Sequence, residues 1–157
     1  MRGYLKRLYE THGEKMRYLI VGAFNTTFGY ALFLMMLVTV RSALNSLAAL
    51  ELTIPGIISS NYFLIAQWTA WILSVPVGTY TMKHHAFRSP GRLGPQIGRA
   101  YLVYAPQVAL NSAVLWIAVQ LLNMPPEIGQ LIATGVAVAF GYLGHKYFTF
   151  RVEPHGD

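Results

Sequence analysis

Four side-chain amides interrupt otherwise apolar stretches of this sequence: Asn25, Gln67, Asn111 and Gln130. A carboxamide carries two donors and an acceptor, and inside a lipid layer each of these needs a partner. Amides that only tie helices together are worth about 1 to 2 kcal/mol or less. Four of them in so short a chain exceed what helix association requires, which favours a binding role.

A second set of residues carries positive charge. Lys83 and Lys146 stand at the ends of two apolar stretches, with Arg88 and Arg151 five residues further on; Arg17 and Arg99 lead into two others. Cations beside helix N-termini, where backbone N–H groups are unpaired, suit a phosphate group at a membrane surface. The same cations also complement helix dipoles and set topology without any ligand. Bond-making chemistry has little to work with. Cysteine is absent, no nucleophile–base pair or paired carboxylates stand out, and His84, His85 and His145 lack the carboxylates that would support a metal site. The reading is a protein that is not an enzyme and holds no metal or cofactor.

The elements that position these residues follow from composition. Of 157 residues, 54% are hydrophobic and 11% charged, against about a quarter charged in soluble domains. Four stretches, 18–40, 62–82, 100–122 and 128–145, each approach the length of about 20 residues that crosses a bilayer, and Lys83 and Lys146 lie just beyond two of them. Continuous apolar runs without alternation predict an all-α membrane protein of four transmembrane helices, not a barrel. Of the 12 basic residues only Arg41 falls on the side opposite the rest, so the positive-inside rule places both termini in the cytoplasm of a bacterial or archaeal cell, the chain being multi-pass in the inner membrane. The net charge of +6 therefore points to anionic lipid and not to nucleic acid. The outer segment 41–61 reads as a short helix on the membrane surface. Across 123–127, Pro125 and Pro126 end one helix and begin the next, with Glu127 in its first turn.

The halves of the chain repeat. Residues 67–88 lie on 130–151 without a gap: in both, Gln is followed by Gly, Lys, Phe and Arg at the same spacings. A looser match pairs Arg17 and the Asn25 stretch with Arg99 and the Asn111 stretch. This predicts one membrane domain over 1–157 built from two helical hairpins, 17–88 and 99–151, as parallel repeats about an axis along the membrane normal. Helical spacing puts small and polar residues on one stripe of each helix: Gly22, Asn25, Thr26 and Gly29; Gln67, Trp71, Ser74, Gly78 and Thr81; Tyr104, Gln107 and Asn111; Gln130, Thr134, Gly141 and His145. Convergence of the stripes is the expectation. Pro76 and Pro106 each delete a backbone donor and free the carbonyl of an earlier residue for another partner.

Several of these features together resemble a known family. The run from Arg17 through Val21-Gly22 to Asn25-Thr26, the pair Leu110-Asn111, and the Lys-x-x-x-Phe endings at Lys83 to Phe87 and Lys146 to Phe150 are similar to the GtrA-like family of four-helix bacterial membrane proteins. The likeness runs from about Arg17 to Arg151. Where that family commonly has Asn before the cation, this chain has Met82 and His145. The resemblance implies a flippase that moves a polyprenyl-phosphate-linked monosaccharide from the cytoplasmic to the outer leaflet for cell-surface polysaccharide glycosylation. It implies a lipid-phosphate site at Lys83, Lys146, Arg17, Arg88, Arg99 and Arg151, and polar contacts to the sugar from Asn25, Asn111, Gln67 and Gln130. The competing reading is a membrane scaffold that anchors a polyprenyl-phosphate glycosyltransferase. Beyond the lipid-linked sugar and membrane lipid, a glycosyltransferase and a second copy of the chain are the partners to consider.

Overall fold

The computed structural model describes the backbone of residues 2–87 and 92–144, and side chains over 16–86 and 92–139. All regular structure among the described residues is helical. Helix α1 spans Arg2–Ala49, α2 Gly56–Ser60, α3 Tyr62–Thr81, α4 Leu93–Trp116 and α5 Pro126–Gly144; π-helical turns continue α3 over Met82–Phe87 and α4 over Ile117–Leu121. Within α1 the 34 residues Met16–Ala49, and over α4 with its π-turn the 29 residues Leu93–Leu121, are long and apolar enough to cross a membrane. With 20 and 19 residues, α3 and α5 rise about 30 Å and about 28 Å, which also matches the hydrocarbon layer. The all-α membrane architecture read from the sequence is the one observed.

Helix α1 runs unbroken because nothing in it deletes a hydrogen bond: its 48 residues include no proline. It ends where the backbone turns left-handed at Glu51, φ 57°. There Leu52 N–H donates to Leu47 O (3.2 Å) and Glu51 N–H to Ala48 O (3.0 Å), the paired closure of a Schellman motif. The segment 41–61 therefore differs from the expected single surface helix. Residues 41–49 (RSALNSLAA) are helix formers without a breaker and simply prolong α1, so only Gly56–Ser60 forms a separate short helix. Beside it Arg41 Nη2 donates to Tyr62 Oη at 2.6 Å, with the guanidinium carbon 5.2 Å from the Tyr62 ring centre.

At the other turn, α5 begins on Pro126, whose missing N–H costs nothing at that position, and Glu127 stands in the first turn. The end of the α4 extension is closed by Leu122 N–H to Ile117 O (3.1 Å) and Met124 N–H to Ala118 O (3.0 Å) around a left-handed Asn123, φ 52°. Asparagine is among the few residues that adopt this conformation readily.

The chain separates into two compact units, Met1–Ala105 and Pro106–Asp157, the division falling at the proline inside α4. In the first, α1 packs on α3 and on its π-turn, burying Val21, Phe33 and Leu37 against a face formed by Phe63, Ala66, Gln67, Ala70 and Val75. In the second, Val108, Asn111, Leu115 and Ala118 recur at helical spacing and are buried, as are Gln130, Ala133 and Ala137 of α5. The opposite faces present large apolar side chains, among them Leu19, Ile20, Trp68, Leu73, Leu102, Leu131 and Val138. Such a belt is stable facing lipid and would be a liability facing water.

Candidate functional site

Three of the four amides expected from the sequence are buried: Gln67 at 4% exposure, Asn111 at 9% and Gln130 at 9%. Asn25 is half-buried.

In the first unit Asn25 sits on the face of α1 that meets the end of α3. Thr81 Oγ1 donates to Asn25 Oδ1 at 2.8 Å and also lies 3.0 Å from Gly78 O. Room for the amide comes from Gly78, where an added Cβ would stand 3.7 Å from Asn25 Nδ2 and 3.8 Å from Cγ, ordinary contact distances. One turn earlier on α1, Gly22 faces the Met82 side chain, whose Cε would be 3.9 Å from an added Cβ. Gly22, Asn25, Gly78 and Thr81 of the expected stripes thus do face one another within this hairpin. Thr26 does not join them: it is exposed and its hydroxyl donates back to Gly22 O at 2.9 Å, the local bond that lets a threonine sit in an apolar helix.

Lys83 is half-buried in the π-turn that follows, and Arg17 is half-buried on α1. Because Met82 meets Gly22, which lies five residues after Arg17, both cations occupy the same end of the hairpin. The Nε of Arg17 is buried with no hydrogen-bond partner among the described residues. A guanidinium N–H left this way is a place where an anionic oxygen lowers the energy. Arg99 is exposed on α4. Arg88, Lys146 and Arg151 lie outside the described residues, as does His145.

A residue that sequence reasoning did not single out completes this unit. Pro76 has no N–H, so the carbonyl of Ile72, four residues earlier, has lost its helical partner. Tyr101 of α4 donates its hydroxyl to Ile72 O at 2.6 Å. Its ring meets Trp71 edge-on at 5.2 Å between centres, and Trp71 meets Trp68 the same way at 5.5 Å. The freed carbonyl was foreseeable from Pro76. Its partner was not, although a tyrosine, with an apolar body and a donor tip, is the residue type to look for near such a carbonyl.

In the second unit Gln130 Nε2 donates to Asn111 Oδ1 at 3.2 Å, a bond between two buried side chains. Gln130 Oε1 is buried with no hydrogen-bond partner among the described residues. Next to it Gly129 is closely packed: an added Cβ would stand 3.2 Å from Leu115 Cδ1, 3.3 Å from Ala118 Cβ and 3.3 Å from Val119 Cγ2. Tyr104 and Gln107, expected on the same stripe as Asn111, are exposed.

No group of three or more metal-ligating side chains occurs among the described residues. Compared with known protein families, residues 17–150 match the one described as GtrA/DPMS, transmembrane domain. No curated protein and no solved structure matches the chain.

Proposed function

The chain belongs to the GtrA/DPMS transmembrane-domain family, and from that premise we propose that it is a flippase carrying a polyprenyl-phosphate-linked monosaccharide from the cytoplasmic to the outer leaflet, for glycosylation of a cell-surface polysaccharide. The observation that carries the reading lies within the first unit: an unsatisfied cationic N–H at Arg17, at the same end of the hairpin as the half-buried Lys83, with the half-buried Asn25 and the buried Gln67 further along the same apolar helices. Those are the two polar needs of such a lipid: a phosphate and a set of hydroxyls. The polyprenyl tail needs nothing but hydrocarbon.

In this mechanism both termini are cytoplasmic, and Arg17, Lys83, Arg88, Arg99, Lys146 and Arg151 form the inner rim that receives the phosphate. Charge-assisted bonds to phosphate oxygens hold the headgroup at the interface while the tail stays in lipid. Asn25, Gln67, Asn111 and Gln130 replace water around the sugar as it crosses, which lowers the cost of moving hydroxyls through a medium that cannot hydrogen-bond. No bond is made or broken, so the proposed work is not enzymatic. Consumption of the lipid-linked sugar on the outer side drives net flow without a coupling ion. The inner membrane of a bacterium or archaeon is the setting, and a glycosyltransferase or a second copy of the chain is the protein partner to test.

The test is leaflet exchange of a short-chain polyprenyl-phosphate sugar in liposomes that hold only the purified protein, wild type beside Lys83→Ala and Lys146→Ala. Exchange well above protein-free liposomes, reduced about tenfold or more in both variants, is the expected result; losing a charge-assisted hydrogen bond is worth about that factor. Exchange no faster than in empty liposomes, with folded protein confirmed, would shift the assignment to a scaffold for the glycosyltransferase.

A further inference from the structure

The two polar needs of the cargo are met by chemically different groups. Every cation can address a phosphate, but an ionised phosphate has no proton to give, and neither has a hydrocarbon tail. Of the three parts of the cargo, only the sugar can therefore donate to an acceptor without a partner.

Gln130 Oε1 is such an acceptor. The residue is 9% exposed, its Nε2 is committed to Asn111 Oδ1 at 3.2 Å, and Oε1 is left without a partner among the described residues. Asn25 differs, since its Oδ1 already receives the Thr81 hydroxyl at 2.8 Å. The surroundings of Gln130 are apolar: Asn111, to which it is tied, has Val108 and Leu115 as its buried neighbours along α4, and Ala133 follows on α5. In such a low-dielectric setting a missing partner costs more than it would in water, and a gained one returns more. The carboxamide is also held in place. Gly129 brings α5 close to Leu115, Ala118 and Val119, where an added methyl would be tighter than ordinary contact by a few tenths of an ångström, so the backbone under Gln130 is closely packed.

We propose that Gln130, oriented by Asn111, is a specificity-determining residue that reads one hydroxyl of the sugar through Oε1. The inference rests on the transport reading above. Oε1 is buried here; a donor hydroxyl that reaches it during transit satisfies the acceptor, whereas a cargo of equal size lacking that hydroxyl leaves it unmet. Polar sites of this kind discriminate by absence, because the unmet group is penalised more heavily than a missing apolar contact.

The experiment uses the full chain in liposomes with short-chain polyprenyl-phosphate glucose as the probe, alongside each of its monodeoxy analogues. Wild-type protein is expected to exchange one analogue about tenfold or more slowly than the parent, with the others close to it. Gln130→Leu, and Gln130→Met as a second variant that keeps side-chain volume, are expected to exchange the parent and that analogue at equal rates. Equal rates for all analogues in the wild type overturn the inference while leaving transport intact, and need no variant to be folded. A preference that persists in both variants overturns it too, by placing the reading at another residue. Failure of the wild type to exchange the parent sugar at all is a different outcome, and it removes the transport reading together with this one.

Discussion

The two hairpins use matching residues at opposite ends of matching helices. In the first, Asn25 meets Gly78 and Thr81 near the end of α3. In the second, Asn111 meets Gln130 near the start of α5. The sequence repeat pairs Gln130 with Gln67 and not with Thr81, so the two asparagines are not structural equivalents. Their helix registers differ, and so do their turns: α1 overshoots the start of α3 and returns through α2, whereas the α4 extension returns to α5 through a short turn around Asn123. Matching residue types at matching sequence positions carry the same chemical capacity. Which atoms meet is decided by how far one helix is shifted along its neighbour.

The glycines show the same contrast in packing, and give the largest expected effect. Gly129→Leu forces a branched side chain into atoms that already lie 3.2 to 3.3 Å from a bare Cβ position. It should cost about 3 kcal/mol or prevent the second hairpin from closing, read as loss of cooperative unfolding in detergent. Gly129→Ala asks its neighbours for only a few tenths of an ångström and gains about 1 kcal/mol of helix propensity, so it should stay within about 1 kcal/mol of the wild type, far from the loss expected for Gly129→Leu.

A smaller loss is expected at the aromatic contact of the first unit. Tyr101→Phe leaves Ile72 O without its donor and should cost about 1 kcal/mol. Pro76→Ala restores the helical N–H to the same carbonyl, so in that background Tyr101→Phe should be nearly neutral. Equal costs in both backgrounds, measured by denaturation, would mean that the tyrosine acts through its ring on Trp71 and not through its hydroxyl.

The smallest effect belongs to Gly78. Its added Cβ meets Asn25 only at ordinary contact distance, and alanine is the better helix former by about 1 kcal/mol. Gly78→Ala should therefore leave stability unchanged or raise it slightly. A loss of about 1 kcal/mol or more would show that Gly78 is packed more tightly than these distances indicate.

Most of the architecture could be read from the sequence, for a physical reason. Apolar runs of membrane length and the need to satisfy every backbone group inside lipid leave few alternatives to a helical bundle. The start of α5 at Pro126 was legible because proline fits one helical position best. The end of α1 was not. Residues 42–49 are polar enough to suggest a surface element, but polarity does not stop a helix; a change in backbone conformation does, and it arrives only at Glu51. Within the candidate site, the burial of Gln67, Asn111 and Gln130 followed from their stripes. The exposure of Tyr104 and Gln107 did not follow, because period alone gives a face and not what covers it. The partners Thr81 for Asn25 and Gln130 for Asn111 depend on inter-helix register, which no spacing along a single helix contains.

That register claim is tested most directly by double-mutant cycles in the purified protein, taking Asn25 with Thr81, Asn25 with Gln67, and Asn111 with Gln130. The account predicts coupling of about 0.5 to 1.5 kcal/mol for Asn25 with Thr81 and for Asn111 with Gln130, and coupling within about 0.5 kcal/mol of zero for Asn25 with Gln67. Strong coupling of Asn25 to Gln67, with none to Thr81, would make the hairpins structural copies after all and contradict it.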